Sequence, residues 1–540
     1  MGPAAQLLWC TSVDQITRRS LLAAAAVAVG ATGACSESRN EPIVSPAVGG
    51  QRGDSPTTTA PSRTPGWVAV ENQLPGSHDW AVPENDEATW NKIRGYATTT
   101  SSTAGDEIQL AISTQAPTFR IQAYRFGWYG GAGARLVWES GDLAGTSQDP
   151  QPELGPDTAL RARWHVTHSI TDTRSWPPGS YLLKLVSADA GMSYVPVCIR
   201  DDTSTASLAI MSSVTTWQAY NQWGGANLYE AQANAGLSRA NVVSFDRPYY
   251  RKGCGEFFGR EFEFVQYVER LGYDVTYLTS VDVHAHPERL LAHRAVISLG
   301  HDEYYSTAMR SGLEHARDSG VNLVFLGANA IFRKIRLEPS SGSDFRNMVN
   351  YRSATQDPLA ATNPNEVTVS WRDPPSNQPE SSLIGNFYEA NPVDASLVIS
   401  NPDSWLFDGV GLPAGTRLAH VVGNEYDRVT PERPTPDNIE VVCHSPVVCK
   451  GKRSFSDVTW YTTPSGAGVF ASGTLNWVRG LASDSLELAP TPAQPDTVVQ
   501  RVTKNLLDTV AKGPAGAIHP SVNNLARYKI RPHYVSDPPQ

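Results

Sequence analysis

The stretch Leu299-Gly300-His301-Asp302-Glu303-Tyr304-Tyr305-Ser306 joins two segments of different character. Residues 295–299 form a short apolar run, which predicts a buried strand, and residues 306–319 carry apolar side chains at helical spacing. In an open α/β sheet, the loop after the carboxyl end of a strand faces the crevice where ligands bind. The histidine and two carboxylates between the segments are therefore well placed for chemistry. The alternative is a plain turn in which Asp302 and Ser306 cap the helix.

The sequence around this stretch alternates between predicted strands and helices. Apolar runs at residues 208–211, 275–278 and 321–326 predict further buried strands, and residues 262–271 predict a helix that stops at a glycine. Such alternation is typical of a parallel α/β sheet. We therefore predict an α/β domain with a parallel sheet over residues 202–512, followed by a carboxyl-terminal tail at 513–540.

Residues 67–201 have a different pattern, which predicts a β-sandwich domain. Residues 107–113 and 119–124 alternate apolar and polar side chains, and glycine- and proline-rich turns separate several such runs. The cluster at residues 125–131, rich in aromatic residues and glycine, is read as a turn between strands, with a binding loop as the alternative. No group of catalytic residues is apparent in this domain.

The amino terminus has the form of an export signal. Thr17-Arg18-Arg19-Ser20-Leu21-Leu22 precedes an apolar run and matches a twin-arginine signal within residues 1–35. Cys35 is a candidate lipid-anchor site, and the alternative is simple cleavage with Cys35 incidental. Residues 36–66 are rich in Ser, Thr, Pro and Gly and predict a flexible tether. We expect a lipoprotein on the outer face of the cytoplasmic membrane, or a secreted protein.

Charge and cysteine content exclude one class of partner and predict one crosslink. The formal net charge is -10 and the chain has no basic runs, which argues against nucleic acid as a partner. Cys443 and Cys449 bracket five residues, and in an oxidising compartment this short loop would be closed by a disulfide. A metal site is the alternative for the loop, but two cysteines and His444 supply too few ligands.

Three predicted strand ends are followed by unusual polar residues. They are the segments 215–225, 301–303 and 327–329, and all three should open at the same edge of the sheet. The chain has no Gly-x-Ser-x-Gly elbow, no His-Glu-x-x-His helix and no glycine-rich phosphate loop. The polar residues that remain are mainly Tyr, His, Asp, Glu and Asn.

Four of these runs together resemble the large subunit of N,N-dimethylformamidase in its carboxyl-terminal domain. They are Thr216-Trp217-Gln218-Ala219-Tyr220-Asn221, Val243-Ser244-Phe245-Asp246-Arg247-Pro248-Tyr249, Gly300-His301-Asp302-Glu303-Tyr304 and Gly327-Ala328-Asn329. The resemblance covers about residues 67–512 and is best from 207 to 332. It implies a glutamine-amidotransferase-like α/β domain with a mononuclear Fe(III) centre held by two tyrosines and one glutamate.

The resemblance also assigns roles to individual residues. It implies Tyr220, Tyr249 and Glu303 as metal ligands, with Tyr250 as the alternative to Tyr249. The same resemblance implies catalytic roles for three more residues around the metal and the substrate, which are His301, Asn329 and Glu425. Hard oxygen ligands suit ferric iron, which would activate a carbonyl and water.

We therefore expect an exported hydrolase that cleaves the C–N bond of a small-molecule amide. The chain does not include the family's small subunit, and it is a candidate homo-oligomer. The first alternative hypothesis is a non-metal, non-catalytic glutamine-amidotransferase-like lipoprotein that binds a cell-envelope ligand. The second is a purely structural surface lipoprotein.

Overall fold

The computed structural model describes residues 65–83, 86–154, 159–231, 238–340, 343–482, 496–528, 530 and 535–536. Residues 58–540 belong to one compact unit. The predicted export signal, the candidate lipid site Cys35 and the predicted tether up to residue 64 lie outside the described residues. Among the helices that are described, none combines the length and the apolar character needed to cross a membrane.

The first part of the chain contains two short helices and eleven strands among its described residues. The helices are α1 (Trp67–Glu71) and α2 (Glu87–Trp90). The strands are β1 (Ile93–Ala97), β2 (Ser101–Thr103), β3 (Ile108–Thr114), β4 (Thr118–Phe126), β5 (Ala134–Glu139), β6 (Leu143–Ala144), β7 (Pro152–Leu154), β8 (Ala159–Ala162), β9 (His168–Ile170), β10 (Gly179–Ser187) and β11 (Met192–Arg200).

Two sheets in this part pack face to face. One has the order β1-β3-β9 and the other β2-β11-β10-β4-β5, with β6 paired to β4. Alternate residues of both sheets enter a common core, including Ile108 and Leu110 from β3 and Ile121 from β4. The predicted β-sandwich is thus partly consistent with the structure, although β2 pairs with β11 in parallel.

The rest of the chain begins with the site-bearing elements. Its helices are α3 (Val214–Tyr220), α4 (Gly255–Arg260), α5 (Phe262–Arg270), α6 (Ser280–Ala285), α7 (Thr307–Asp318), α8 (Ser381–Ile384) and α9 (Thr497–Val510). Its strands are β12 (Leu208–Ser212), β13 (Val242–Ser244), β14 (Val275–Thr279), β15 (Ala295–His301), β16 (Tyr304–Ser306), β17 (Asn322–Ala328), β18 (Arg333–Ser340), β19 (Ser343–Val349), β20 (Phe387–Val398), β21 (Arg417–Arg428), β22 (Glu440–Cys449), β23 (Lys452–Thr462), β24 (Gly468–Ala471) and β25 (Val535–Ser536). Short 3₁₀ turns lie at Tyr129–Gly131, Pro287–Ala292, Pro358–Ala360, Pro364–Glu366, Trp405–Phe407, Leu475–Leu481, Ala515–Ala517 and Leu525–Arg527.

The sheet that carries the candidate site is parallel on one side and antiparallel on the other. Its order is β14-β12-β15-β17-β24-β23-β22, with β25 paired to β23. The strands from β14 to β24 run parallel, whereas β23 pairs antiparallel with both β24 and β22. Every residue of β12, β15 and β17 is buried, which explains why their sequences are almost continuously apolar.

The prediction of a glutamine-amidotransferase-like α/β domain with a parallel sheet is wrong. Strands far outnumber helices in the described part of the chain, and most of the sheets are mixed or antiparallel. The alternation of strand and helix holds only for residues 208–328. After β17 the chain forms long strands such as β20 and β21, which pair antiparallel as a two-stranded sheet. The alternation of predicted strands and helices therefore holds only for the first section of the predicted α/β domain.

A further mixed sheet joins the two parts of the chain. Its order is β16-β18-β19-β13-β8-β7, so two strands from the first part lie beside four from the second. Within it, β8 pairs in parallel with β13, and β13 pairs antiparallel with β19. Backbone hydrogen bonds therefore cross the predicted domain boundary near residue 201.

Candidate active site

Three neighbouring parallel strands end at one edge of the sheet. Strand β12 leads directly into α3, β15 ends at His301, and β17 ends at Ala328, immediately before Asn329. The pairing of His301 with Ala328 places these two strand ends level with each other. The segments after all three strands are therefore neighbours, as expected for parallel strands.

Glu303 lies between two tyrosine hydroxyls. Tyr220, the last residue of α3, donates a hydrogen bond to Oε2 of Glu303 at 2.9 Å. The hydroxyl of Tyr229 donates to Oε1 of the same carboxylate. The two phenol rings stack with centroids 4.6 Å apart. Glu303 itself is fully buried, whereas both tyrosines are partly exposed, so the carboxylate is reached past the phenols.

Backbone contacts hold Glu303 against α3. The amide N–H of Glu303 donates to Oγ1 of Thr216 at 3.0 Å, and its carbonyl accepts from the N–H of Arg333 at 2.9 Å. Helix α3 is short and contains β-branched residues, which are poor helix formers. Its start is held instead by Glu261, whose Oε1 accepts from the N–H of Ser213 at 3.0 Å and from Nε1 of Trp217 at 2.9 Å.

A second acidic residue, Glu425 of β21, is connected to Glu303 by the imidazole of His301. Nε2 of His301 lies 3.3 Å from Oε2 of Glu303 and 3.5 Å from Oε2 of Glu425. The amide of Asn329 lies 3.3 Å from the same ring nitrogen. Asn391 donates to Oε1 of Glu425 at 2.9 Å. The imidazole therefore lies between two carboxylates, both of them buried.

The electrostatics of the site separate an ionised carboxylate from protonated phenols. Burial raises the pKa of Glu303, but the hydrogen bond and charge of His301, together with the charge of Arg333, lower it to about 2. Burial lowers the pKa of His301, but Glu425 and Glu303 raise it to about 9. Burial, followed by the charge of Glu303, raises the pKa of Tyr220 and Tyr229 well above the usual value.

The pKa of Glu425 is also raised, mainly by burial. Its Oε2 has no hydrogen-bond partner among the described residues, and the same holds for Oδ1 of Asn329. Buried polar atoms without partners are uncommon in folded proteins and call for an explanation. Both residues contact Nε2 of His301, so a small polar ligand at this imidazole would have two acceptors available.

The same region of the chain is recognised by comparison with known proteins. A family model described as N,N-dimethylformamidase beta subunit-like, C-terminal, matches residues 120–491. The chain belongs to this family. The resemblance inferred from the four sequence motifs is thereby confirmed.

No curated protein matches this dimethylformamidase-like chain. Among solved structures, a cycloisomaltooligosaccharide glucanotransferase of Paenibacillus sp. in complex with cycloisomaltoheptaose is 9% identical, and the match covers 78% of this chain and 80% of that one. The TM-score of 0.16 is too low to support any conclusion about fold or function.

The donor atoms in this dimethylformamidase-like site fit a hard cation. Two phenol oxygens and a carboxylate converge, and such ligands favour ferric iron over softer metals. In the described residues, no group of three or more His, Cys, Asp and Glu side chains has the arrangement of a metal site. The residues that would hold a ferric ion here are Tyr220, Tyr229 and Glu303.

Tyr249, predicted as the second ligand tyrosine, lies elsewhere. It lines a mainly apolar cavity of about 40 Å³ together with Val214, Trp217 and Phe257. The alternative, Tyr250, is exposed and stacks with Arg251. No hydrogen bond joins either residue to Glu303 within the part of the chain that is described.

Tyr229 contacts Glu303 but is not among the residues predicted from the sequence. This residue follows a glycine pair and lies in a turn that Asn227 stabilises, because Oδ1 of Asn227 accepts from the N–H groups of Tyr229 and Glu230 at 2.8 and 2.9 Å. An Asn-x-Tyr turn close behind the helix that carries Tyr220 was the available signal. It shows no periodicity, so it was not distinguishable from other loops.

Two other expectations need correction, and the first concerns the helix cap. Asp302 does not cap α7: its Oδ2 accepts from Oγ of Ser298 at 2.7 Å and from Tyr305, while Ser306 is the cap and accepts from the N–H of Met309 at 3.2 Å. Asp302 is followed by the short strand β16, which separates it from the helix.

The disulfide predicted between Cys443 and Cys449 does not form in the structure. Both thiols are free and buried, and both cysteines lie on β22. Six residues of extended chain span about 20 Å, far more than a disulfide can bridge. The segment between them is part of a strand instead of a closed loop.

Proposed function

We propose that this protein is an amide hydrolase that cleaves the C–N bond of a small amide at a mononuclear ferric centre. Membership of the N,N-dimethylformamidase beta subunit-like family supports the reaction class. The observation that carries the proposal is the convergence of Tyr220 and Tyr229 on the two oxygens of one buried carboxylate, Glu303. Two phenols and a carboxylate are an oxygen-only ligand set with positions left open for water and substrate.

A ferric ion held by these three residues would supply Lewis acidity toward the substrate carbonyl and toward water. The protein contributes the ligand geometry, since Thr216 and the carbonyl contact to Arg333 fix the backbone of Glu303. Helix α3 orients Tyr220. The burial of Glu303 keeps bulk water away from the reacting groups, which strengthens electrostatic interactions there.

His301 and Glu425 are placed to move protons. Nε2 of His301 is shared between Glu303 and Glu425, so it can hold a proton for delivery to the departing amine. Oε2 of Glu425 has no hydrogen-bond partner in the described structure and can accept a proton from the attacking water. Asn329 orients the imidazole, and Asn391 orients the Glu425 carboxylate.

We also propose that the protein acts outside the cytoplasm, as an exported or lipid-anchored enzyme. The support is the twin-arginine motif at Arg18 and Arg19 and the cysteine at position 35. Export in a folded state would suit a protein whose metal is inserted before it leaves the cytoplasm. Mass spectrometry of the protein from its native membrane fraction would detect a lipid on Cys35 or a simple cleaved terminus.

The test of the proposed function begins with metal analysis of protein purified from iron-replete cells. We expect about one iron per chain and a visible phenolate-to-iron charge-transfer band, together with release of dimethylamine from N,N-dimethylformamide. Colourless, iron-free protein without amidase activity on simple amides would refute the proposal.

Matched tyrosine variants assign the ligands. Tyr229→Phe and Tyr220→Phe should each lose iron and weaken or shift the visible band, because each removes one phenol oxygen. Tyr249→Phe removes a phenol that lines the apolar cavity and has no hydrogen bond to Glu303 in the described structure, and it should leave iron and colour unchanged. Loss of iron in Tyr249→Phe, with iron retained in Tyr229→Phe, would reverse the assignment.

A further inference from the structure

Three arginines lie along one side of the candidate site. The guanidinium of Arg352 stacks over the ring of Tyr229, with Cζ 3.9 Å from the ring centroid, and its Nη2 donates to the hydroxyl of Tyr304 at 3.1 Å. Nε of Arg333 lies 3.5 Å from Oε1 of Glu303. Arg239 lies next to Arg352, because its Nη2 donates to the carbonyl of Tyr351.

These arginines have few carboxylates to balance their charge. Arg239 donates only to the backbone carbonyls of Ala240, Asn350 and Tyr351, and Arg352 donates to the Asn350 amide and the Tyr304 hydroxyl. Among the described residues, neither forms an ion pair, and Glu303 is the one carboxylate within ion-pair distance of Arg333. A ferric ion held by two phenolates and Glu303 would neutralise that carboxylate. The positive charge of the arginine side would then be uncompensated.

The backbone at Arg352 supports a specific role. Its φ is 57°, in the left-handed region that non-glycine residues adopt at a cost. In this conformation the guanidinium lies over Tyr229, and Nε donates to Oδ1 of Asn350 at 3.2 Å. Nη1 of Arg352 has no hydrogen-bond partner in the described structure, so one donor of the fork remains available next to a proposed metal ligand.

The exposure of these arginines to solvent also allows them to contact a substrate. Arg239, Arg333 and Arg352 are partly exposed, as are Tyr220 and Tyr229, whereas Glu303, His301 and Glu425 beneath them are buried. A molecule that reaches the carboxylate must therefore pass the phenols and the guanidinium groups. An anionic group on that molecule would meet planar donors suited to a carboxylate.

We propose that the substrate is a small amide that also carries a carboxylate, and that Arg352 binds this carboxylate. This inference rests on the proposed function, since it names the substrate class of the same site. Arg333 and Arg239 add positive charge on the same side and favour the anion over a neutral amide. Arg352 is thus a specificity-determining residue that acts on the substrate outside the ligand set.

The test compares two probes of nearly the same size, one anionic and one neutral. N-acetylglycine carries a carboxylate, and N-acetylglycinamide is its neutral counterpart. Binding to the purified holoprotein and to chelator-treated protein is measured by calorimetry, and amine release is measured separately. We expect N-acetylglycine to bind at least about tenfold more tightly, with the difference reduced by added salt.

Variants of Arg352 test whether this side chain causes the preference for N-acetylglycine. Arg352→Met should reduce the ratio of the two affinities to about twofold or less, and Arg352→Lys should keep part of it, because the charge remains but the fork is lost. Arg120→Met is the control, since Arg120 pairs with Asp142 on the exposed surface of the sandwich and should leave the ratio unchanged. If Arg352→Met does not fold, the Arg352→Lys ratio and its salt dependence decide.

The outcomes separate this inference from the proposed function. Equal binding of both probes, no binding of either, or an unchanged ratio in the Arg352 variants would overturn the inference. Iron content and hydrolysis of neutral amides would then still support the proposed function. A strong preference for N-acetylglycine in a protein that holds no iron and cleaves no amide would support the anion site and refute the hydrolase.

Discussion

Arg125 and Glu269 form a fully buried, two-pronged ion pair between β4 and α5. Nη2 of Arg125 lies 2.6 Å from Oε1 of Glu269, and Nη1 donates to Oε2 at 3.0 Å, with both side chains inaccessible to solvent. Tyr277 also donates to Oε1 of Glu269. This pair joins the sandwich to a helix that lies between the site-bearing strands β12 and β15 in the chain, so it connects the two parts of the molecule.

Glu269→Gln should destabilise the whole fold. The substitution leaves the guanidinium of Arg125 buried without a counter-charge, which typically costs about 3–5 kcal/mol. The free energy of unfolding, measured by urea denaturation, reports the change. Arg120→Met removes the exposed pair with Asp142 and should cost less than about 1 kcal/mol. Similar losses in the two variants would contradict the importance of the buried pair.

Titration of Glu261 should lower the free energy of unfolding as pH rises. Burial raises its pKa to about 8 from the usual 4.5, despite hydrogen bonds from Ser213 and Trp217, and the charge of Asp302 adds to the increase. Because the folded-state pKa is the higher one, the stabilising contribution is complete below pH 4.5 and is lost between pH 4.5 and about pH 8. Each pKa unit corresponds to about 1.4 kcal/mol.

Glu261→Gln should remove this pH dependence. The amide oxygen can still accept from Ser213 and Trp217, and no charge has to be buried at high pH. Urea midpoints at about pH 5 and about pH 9 should therefore converge in the variant, with the gain over the wild type appearing at the higher pH. An identical pH profile in the wild type and the variant would show that another group titrates.

Binding of ferric iron should release about two protons per chain near neutral pH. The hydroxyls of Tyr220 and Tyr229 donate their hydrogens to Glu303 in the structure, whereas Glu303 is already ionised. Proton release can be followed with an indicator dye in weak buffer as a ferric chelate is added. The single variant Tyr229→Phe should reduce the release to about one proton at saturating iron, and no difference between the proteins would exclude Tyr229 as a ligand.

Asn391→Leu should slow catalysis without removing the metal. Nδ2 of Asn391 donates to Oε1 of Glu425 at 2.9 Å and to the hydroxyl of Tyr388 at 2.9 Å, and the substitution leaves both without this donor. Because Glu425 is proposed to accept a proton and not to bind substrate, kcat should fall by about tenfold or more. KM and iron content should change little. A selective rise in KM would instead indicate a binding role for Glu425.

The local part of the site was predictable because it depends on sequence neighbours. Apolar runs located β12, β15 and β17, and polar residues after parallel strands must lie at one edge. The strand ends and the family resemblance together predict that Tyr220, His301, Glu303 and Asn329 lie in the same area. The family membership itself is confirmed by the match over residues 120–491.

Other features depend on distant packing and were not predictable in the same way. Tyr229 reaches Glu303 because a turn after α3 returns the chain over the helix, and no periodic pattern encodes that return. Cys443 and Cys449 are predicted to be the ends of a short loop because only five residues, including Pro446, separate them. However, β22 is the last strand in its sheet order, and such an edge position tolerates a proline.

The parallel pairing of β8 with β13 has a consequence for the order in which the protein is made. Strand β8 leaves the ribosome before β13 and long before β19, which completes the neighbouring pair. The first part of the chain therefore cannot complete its backbone hydrogen bonds while it is being synthesised. Backbone N–H and C=O groups of β8 stay unpaired until β13 has been made. A chain interrupted between these strands would be a substrate for chaperones or proteases instead of an independently folded domain.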